Sequence, residues 1–223
     1  MIKNLLQNYI KDYKITLTEN QYEQFQKYFE LLAEWNEKMN LTAITDESGV
    51  ALKHFADSLS LLNFVDIPQN SSLADVGTGA GFPGVVLKIA RPDIKLTLID
   101  SLNKRLVFLG EVCAQLGIEA ELIHSRAEDG ARDEKLRESF DFAVSRAVAR
   151  MNVLSEYCLP YVKVGGAFCA MKGAQANEEF KESLNAINTL GGKLENKYFF
   201  ELPENGGERA IAVVRKVKNT PQK

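Results

Sequence analysis

Histidine and cysteine are scarce in this 223-residue chain, with two and three copies respectively, and no Cys-x-x-Cys pair occurs. A zinc centre is therefore not expected, and no metal is assigned. Cys113, Cys158 and Cys169 are odd in number, widely spaced and set among apolar neighbours, which marks them as small reduced core residues. Long hydrophobic runs are missing too. No stretch approaches the roughly 20 residues that cross a bilayer, and the start MIKNLLQNYIKDYK lacks the apolar centre of a secretory signal. The cytoplasm is the expected location, with no membrane partner. Nor is there a basic excess: 27 Lys and Arg face 30 Asp and Glu, a net charge of −3, so the overall charge does not advertise a nucleic-acid binder. The distribution is uneven, however. Acids crowd the N-terminal half (Glu19, Glu23, Glu30, Glu34, Glu37), whereas Arg146, Arg150, Lys172, Arg209 and Arg215 lie in the C-terminal half, where folding could gather a positive face.

What is present is organised around residues 73–92, LADVGTGAGFPGVVLKIARP. Leu73-Ala74-Asp75-Val76 reads as the end of a short buried strand, Gly77 to Gly81 as a glycine turn, and Pro83 onward as a helix carrying Val85, Val86, Leu87 and Ile89. Strand, turn and helix make a nucleotide-binding corner. A second buried strand, Lys95-Leu96-Thr97-Leu98-Ile99-Asp100, ends in an acid where a carboxylate takes ribose hydroxyls. Gly79 to Gly84 satisfies G-x-G-x-x-G, so a dinucleotide is formally allowed. Against it, Asp75 would repel a pyrophosphate but attract the ammonium or sulfonium of S-adenosylmethionine, directly or through water.

Upstream, apolar residues at helical spacing predict a helix over 2–13, and the capping box Thr18-Glu19-Asn20-Gln21 opens a second, whose aromatic stripe (Tyr22, Phe25, Tyr28, Phe29) reads as core. Asp46 or Ser48 caps a third helix through Phe64, on which His54, Asp57 and Ser58 fall on one turn, the spacing of a local His–Asp hydrogen bond. Pro68-Gln69-Asn70-Ser71 marks a boundary. The expected organisation is an N-terminal helical extension (1–70), a methyltransferase-type domain (71–217) and a short tail (218–223). After the boundary, strands alternate with helices: helix 103–116, strand 119–125, strand 140–146, helix 151–161, strand 166–171 and helix 176–190. Residues 193–202 and 209–217 are strand-like and joined by Pro203-Glu204-Asn205-Gly206-Gly207, a hairpin. The fold class is α/β: a Rossmann-like, mostly parallel methyltransferase sheet closed by a late antiparallel hairpin. A dinucleotide dehydrogenase would need a second βαβαβ half and a hydride site such as Tyr-x-x-x-Lys, and neither is present; a silent RNA-binding module would need no cofactor pocket.

Ligands in such sheets sit beyond the carboxyl ends of the strands. Ala127 and Glu128, after the third strand, could meet an adenine edge, and Arg146, ending the fourth, is a charged strand end that suggests a ligand. Carbon-5 methylation of a pyrimidine needs a covalent cysteine, and exocyclic-amine methylation shows an Asn or Asp, two prolines and an aromatic here. The sequence instead reads Ser145-Arg146-Ala147-Val148. A ring nitrogen such as guanine N7 needs mainly positioning, with Arg146 and Lys172 available to hold phosphates or guanine O6.

Taken in order, Trp35-Asn36, Asn40 to Ile44, His54 with Asp57-Ser58-Leu59, Asp75 to Gly84, Asp100-Ser101 with Lys104-Arg105, Ser125 to Glu128, Ser145-Arg146-Ala147, Met171-Lys172-Gly173 and Gly207-Glu208-Arg209 resemble the bacterial 16S ribosomal RNA guanine-N7 methyltransferases, the glucose-inhibited division protein B family. The resemblance spans about residues 20–217. It implies S-adenosylmethionine as methyl donor, a guanine in the 530 loop of 16S rRNA as acceptor, and the rRNA or small ribosomal subunit as partner. A monomer is the favoured state. It also implies that Gly77, Phe82, Ala127, Glu128 and Arg146 line the cofactor site with Asp100 near the ribose. The cofactor-side set is then Asp75, Gly77, Gly79, Phe82, Asp100, Ser101, Ala127, Glu128 and Arg146. Arg146 thereby moves from the substrate to the cofactor side. Lys172 and Arg209 remain as RNA-side positioning candidates, with no catalytic acid or base.

Overall fold

Thr18 opens the longest helix as its sequence announces: its hydroxyl accepts from Gln21 N at 3.3 Å while Thr18 N donates to Gln21 Oε1 at 2.7 Å. The computed structural model describes residues 1–174 and 176–222; Lys223, the last residue of the expected tail, lies outside the described residues. The first part of the chain forms α1 (Ile2–Tyr9), α2 (Glu19–Met39), α3 (Glu47–Val50) and α4 (Asp57–Phe64), with a π-helical turn, Ala51–Ala56, between the last two. There follow β1 (Ser72–Val76), α5 (Gly84–Ala90), β2 (Lys95–Asp100), α6 (Asn103–Leu116), β3 (Ala120–His124), α7 (Ala127–Gly130), β4 (Phe140–Arg146), α8 (Met151–Cys158), β5 (Val162–Lys172), α9 (Ala176–Glu182), α10 (Leu184–Thr189), β6 (Gly192–Glu201) and β7 (Glu208–Lys216).

The strands form one sheet in the order β3-β2-β1-β4-β5-β7-β6. All pairings are parallel except those of β7 with β5 and β6, so the expected late hairpin is present. Strand order reverses between β1 and β4, which opens a crevice at their carboxyl ends. Helices differ from expectation in several places, and α1 already ends at Tyr9, short of residue 13. The span through Phe64 contains the π turn. Pro160 lacks an N–H, and α8 ends in a tight 3-10 turn, Leu159–Tyr161. The expected helix 176–190 divides at Ser183, whose hydroxyl bonds back to Phe180 O at 2.9 Å.

Alternation along the strands sorts the sheet into two buried faces. Leu73, Val144, Cys169, Met171 and Ile211 pack in one cluster with Ile2, Leu6, Phe25, Tyr28 and Phe55, so the N-terminal helices share the core of one sheet face together with α5 and α6. Ala74, Ala143, Phe168 and Ala212 pack against α8, α9 and α10 on the other. The N-terminal layer also grips the glycine turn. Tyr28 O–H donates to Ala80 O at 2.5 Å, and its ring lies 5.4 Å from Phe55 and 5.5 Å from Phe82. Gln21 Nε2 satisfies the final carbonyls of α5 at Ile89 (2.7 Å) and Ala90 (3.2 Å).

Tyr28→Phe leaves the Ala80 carbonyl without its buried donor. Urea denaturation should show a loss of about 1–3 kcal/mol, and a loss within error would mean that another donor replaces the hydroxyl.

Candidate active site

Beyond the carboxyl ends of β1 to β4 lies a cavity of about 700 Å³. Gly77, Gly79, Phe82, Asp100, Ser101, Ala127, Glu128 and Arg146 all line it, so eight of the nine cofactor-side residues come together. Asp100, ending β2, is held by the backbone: Oδ2 accepts from Gly79 N and Oδ1 from Leu102 N, both at 2.9 Å. Arg105 Nη1 stands 3.4 Å from Oδ2. The same Nη1 lies 3.5 Å from Oδ1, so all of the roughly four lone-pair sites of the carboxylate are engaged, the two toward Arg105 only by long contacts that a closer donor from the cavity could replace. Ala127 opens α7, a short helix that no sequence pattern announced, and its N–H therefore makes no intrahelical bond. Tyr161 O–H fixes that residue by donating to Ala127 O at 2.8 Å. Glu128 stands beside Tyr157, whose phenol it pushes above the ordinary value by its charge.

Asp75 is placed differently from the sequence reading. It is fully buried beneath the turn and is not a lining residue of the cavity. Its Oδ2 accepts from Thr78 Oγ1 and from Gly84 N, each at 2.8 Å, while Oδ1 is buried without a partner. Burial raises its pKa to about 6, against the lowering effect of those two bonds. The physical reason is geometric. Gly84 N–H is a free donor at the start of α5, and a Cβ on Gly84 would stand 2.7 Å from Asp75 Oδ2, so helix and acid are in direct contact.

A second cavity, about 520 Å³, continues along the sheet edge past β4, β5 and the start of β7. His54, Arg146 and Ala147 line both cavities and form the wall between them. Ala147 turns the chain there in a left-handed conformation, φ +56°. Arg146 is nearly spoken for by the protein. Its Nη1 donates to Asp57 Oδ2 and to Lys53 O, both at 2.9 Å, its Nη2 lies 3.2 Å from His54 Nδ1, and its guanidinium sits 5.2 Å from the Phe82 ring centre. Arg209 Nε approaches the same Asp57 oxygen at 3.3 Å. His54 Nδ1 lies 3.2 Å from both Arg146 Nη2 and Lys53 O; the guanidinium can only donate, and with Nδ1 accepting from it the ring proton is on Nε2, donated to Thr42 Oγ1 at 2.8 Å. The local His54–Asp57 bond expected from helical spacing is thus replaced by bonds of both residues to Arg146, because the π turn separates them and β4 inserts its arginine. Burial, then the Arg146 charge, lowers the His54 pKa to about 3, so the ring is neutral near pH 7.

Lys172 and Arg209 line the second cavity only. Lys172 Nζ donates to Ala149 O and pairs with Glu179 Oε2, both at 2.7 Å. The sequence reading missed Thr42 and Glu179 as site residues and misassigned the partner of Asp57. The Asn40 to Ile44 motif pointed at the first, but no local pattern signals a partner 89 residues away.

His54 is held neutral in the fold but has an ordinary pKa of about 6.5 when unfolded. Its contribution is present above pH 6.5 and is lost as pH falls through that value toward 3. Asp75, raised to about 6, acts oppositely and returns stability on acidification. Urea unfolding of His54→Gln against wild type should therefore show the stability difference changing by about 1 kcal/mol between pH 7.5 and 5.5. A pH-independent difference would contradict the neutral ring.

Known proteins resemble this chain in sequence and in fold. The family model GidB, rRNA small subunit methyltransferase G, matches residues 21–206. The ribosomal RNA small subunit methyltransferase G of Geobacillus sp. (strain WCH70) is 52% identical over 94% of this chain and 88% of its own length, and that of Leuconostoc citreum (strain KM20) is 53% identical over 96% and 90%. Among solved structures, a putative methyltransferase from Bacillus halodurans superposes with a TM-score of 0.57 at 15% identity, over 73% of this chain and all of its own. A SAM-dependent methyltransferase from Aquifex aeolicus gives 0.54 at 16% identity, over 71% and 89%. These two share the fold, and the sequence relatives share more than half of their residues with the chain or close to it. With a family match over most of its length and relatives of that identity, this chain belongs to the rRNA small subunit methyltransferase G family.

Proposed function

We propose that the chain transfers a methyl group from S-adenosylmethionine to N7 of a guanine in the 530 loop of 16S rRNA. The observation that carries this reading is the pair of contiguous cavities parted by Arg146, His54 and Ala147, one suited to the donor and the other to an acceptor base.

The residues of the first cavity fit the cofactor. Gly79, at φ +60°, has nothing within 4 Å of where a Cβ would stand, so a side chain there would fill the cavity that the turn leaves open. Asp100 is oriented to accept ribose hydroxyls, and Ala127 N–H with Glu128 offers a donor and an acceptor to the adenine edge. Asp75 Oδ1, buried without a partner, fits a water that would bridge it toward the cofactor behind the turn. S-adenosylmethionine supplies an activated methyl group on a sulfonium. Guanine N7 bears an in-plane lone pair and no proton, so the chain needs to provide alignment and no general base, which agrees with the neutral, fully bonded His54 at the dividing wall. Arg146 holds that wall in place, while Lys172 and Arg209 face the acceptor side. A loop guanine must be unstacked to enter, as bases that undergo chemistry usually are. One copy of the chain carries both cavities, so a monomer suffices, and an rRNA substrate places the reaction in the cytoplasm.

The direct test is methyl incorporation from labelled S-adenosylmethionine into small subunits and protein-free 16S RNA that lack the modification, followed by mapping of the base. Label at N7 of a single 530-loop guanine is expected; label elsewhere, or none, overturns the reading. Calorimetry should show binding of S-adenosylhomocysteine and not of NAD. Asp100→Ala should weaken the former by roughly 10- to 100-fold, as loss of hydrogen bonds to a charged group predicts.

A further inference from the structure

The acceptor cavity contains a donor–acceptor pair that the reaction, as described, does not use. Lys172 ends β5, and Glu179 lies in α9 above it, their charged atoms 2.7 Å apart. Both side chains are largely covered, at 10% and 18% exposure, yet both line the second cavity. Glu179 Oε2 is fixed twice, by Lys172 Nζ and by Met151 N at 3.0 Å, the first residue of α8. Its Oε1 has no protein partner among the described residues. The other carboxylate of the cavity, Asp57, is held between the guanidiniums of Arg146 and Arg209. Glu179 faces a single ammonium.

The orientation of a base in this cavity follows from where N7 must go. His54, Arg146 and Ala147 form the boundary with the first cavity, whereas Lys172 and Glu179 line the second alone. With N7 turned to the boundary, the opposite edge of the purine turns toward Lys172 and Glu179. In guanine that edge reads O6 as acceptor, then N1–H and N2–H2 as donors. Lys172 followed by Glu179 reads donor, then acceptor, at hydrogen-bond spacing. Adenine presents the reverse order, an amine opposite the ammonium and the N1 lone pair opposite the carboxylate, so it is rejected by like partners. A partly buried polar pair that loses its complement is left unsatisfied, the strongest source of discrimination a site has.

Resting on the proposed function, we propose that Glu179, braced by Lys172 and Met151 N, is the specificity-determining residue that reads N1–H and N2–H2 of the target guanine. Because Glu179 also ties α8 to α9, its removal has a structural effect as well, but that effect falls equally on every base offered.

The test uses small subunits reconstituted with 16S RNA carrying guanosine or inosine at the target position. Inosine keeps N7, O6 and N1–H and lacks only the N2 amine. Wild-type kcat/KM should favour guanosine by about 10- to 100-fold. Glu179→Ala should bring the ratio near one, and Glu179→Gln, which keeps the side chain's shape and a carbonyl for Met151 N, should do the same. Melting temperature and S-adenosylhomocysteine affinity of both variants establish that they fold. A wild-type ratio near one, or a variant that folds and keeps the wild-type preference, overturns the assignment of Glu179 while leaving the methyl transfer intact. Absence of label from guanosine RNA with the wild-type chain overturns the parent reading and this one with it.

Discussion

The pairing of Asp57 with Arg146 is the contact on which both cavities depend. Asp57 starts α4 and is nearly buried, and its Oδ2 receives Arg146 at 2.9 Å and Arg209 at 3.3 Å. Ions taken out of water in this way lose solvation that only well-placed partners restore, so removing one of them typically costs 3–5 kcal/mol. Here the partners come from three parts of the chain: the N-terminal helices, the end of β4 and the start of β7. Their meeting fixes the N-terminal layer against the carboxyl edge of the sheet. It also immobilises Arg146 as a partition, since Lys53 O and His54 Nδ1 take donors that would otherwise reach a ligand. An arginine so committed shapes a site more than it grips a substrate.

The same accounting of donors and acceptors explains the glycine turn. Two acids of similar chemistry, Asp75 and Asp100, diverge in role because of what surrounds them. Asp75 is sealed below the turn, bonded to Thr78 and to the first N–H of α5, and burial raises its pKa. Asp100 faces the cavity with its oxygens oriented by Gly79 N and Leu102 N. Tyr28 holds the turn from the other side through Ala80 O. The helical layer therefore contributes to the site by bracing it as well as by supplying Thr42, His54 and Asp57.

Charge distribution follows from the fold in the same way. The chain is net acidic, yet Lys53, Arg146, Lys172 and Arg209 surround the second cavity against only two carboxylates, Asp57 and Glu179. The result is a locally positive recess on a net acidic molecule, a field set by folding and not by composition.

Local sequence determined the elements and which residues line the first cavity. The Thr18 box, the alternating strands, the glycine turn and the acid ending β2 are patterns of a few neighbouring residues, and each expresses itself through backbone rules that act over one or two turns. That is why eight of the nine cofactor-side residues line one cavity. Tertiary structure alone decided the rest. Helical spacing predicted a bond between His54 and Asp57, but a π turn and an arginine 89 residues from Asp57 redirected both. Asp75 sits at the expected strand end, yet its side chain turns to Thr78 and the first N–H of α5 and does not line the cavity. Glu179 carried no signal, because a solvated helix acid and a cavity acid look alike until β5 delivers Lys172 beneath it. Hydrogen-bond partners for charged groups are chosen by what packing brings within about 3 Å, and the order of residues along a chain does not contain that distance.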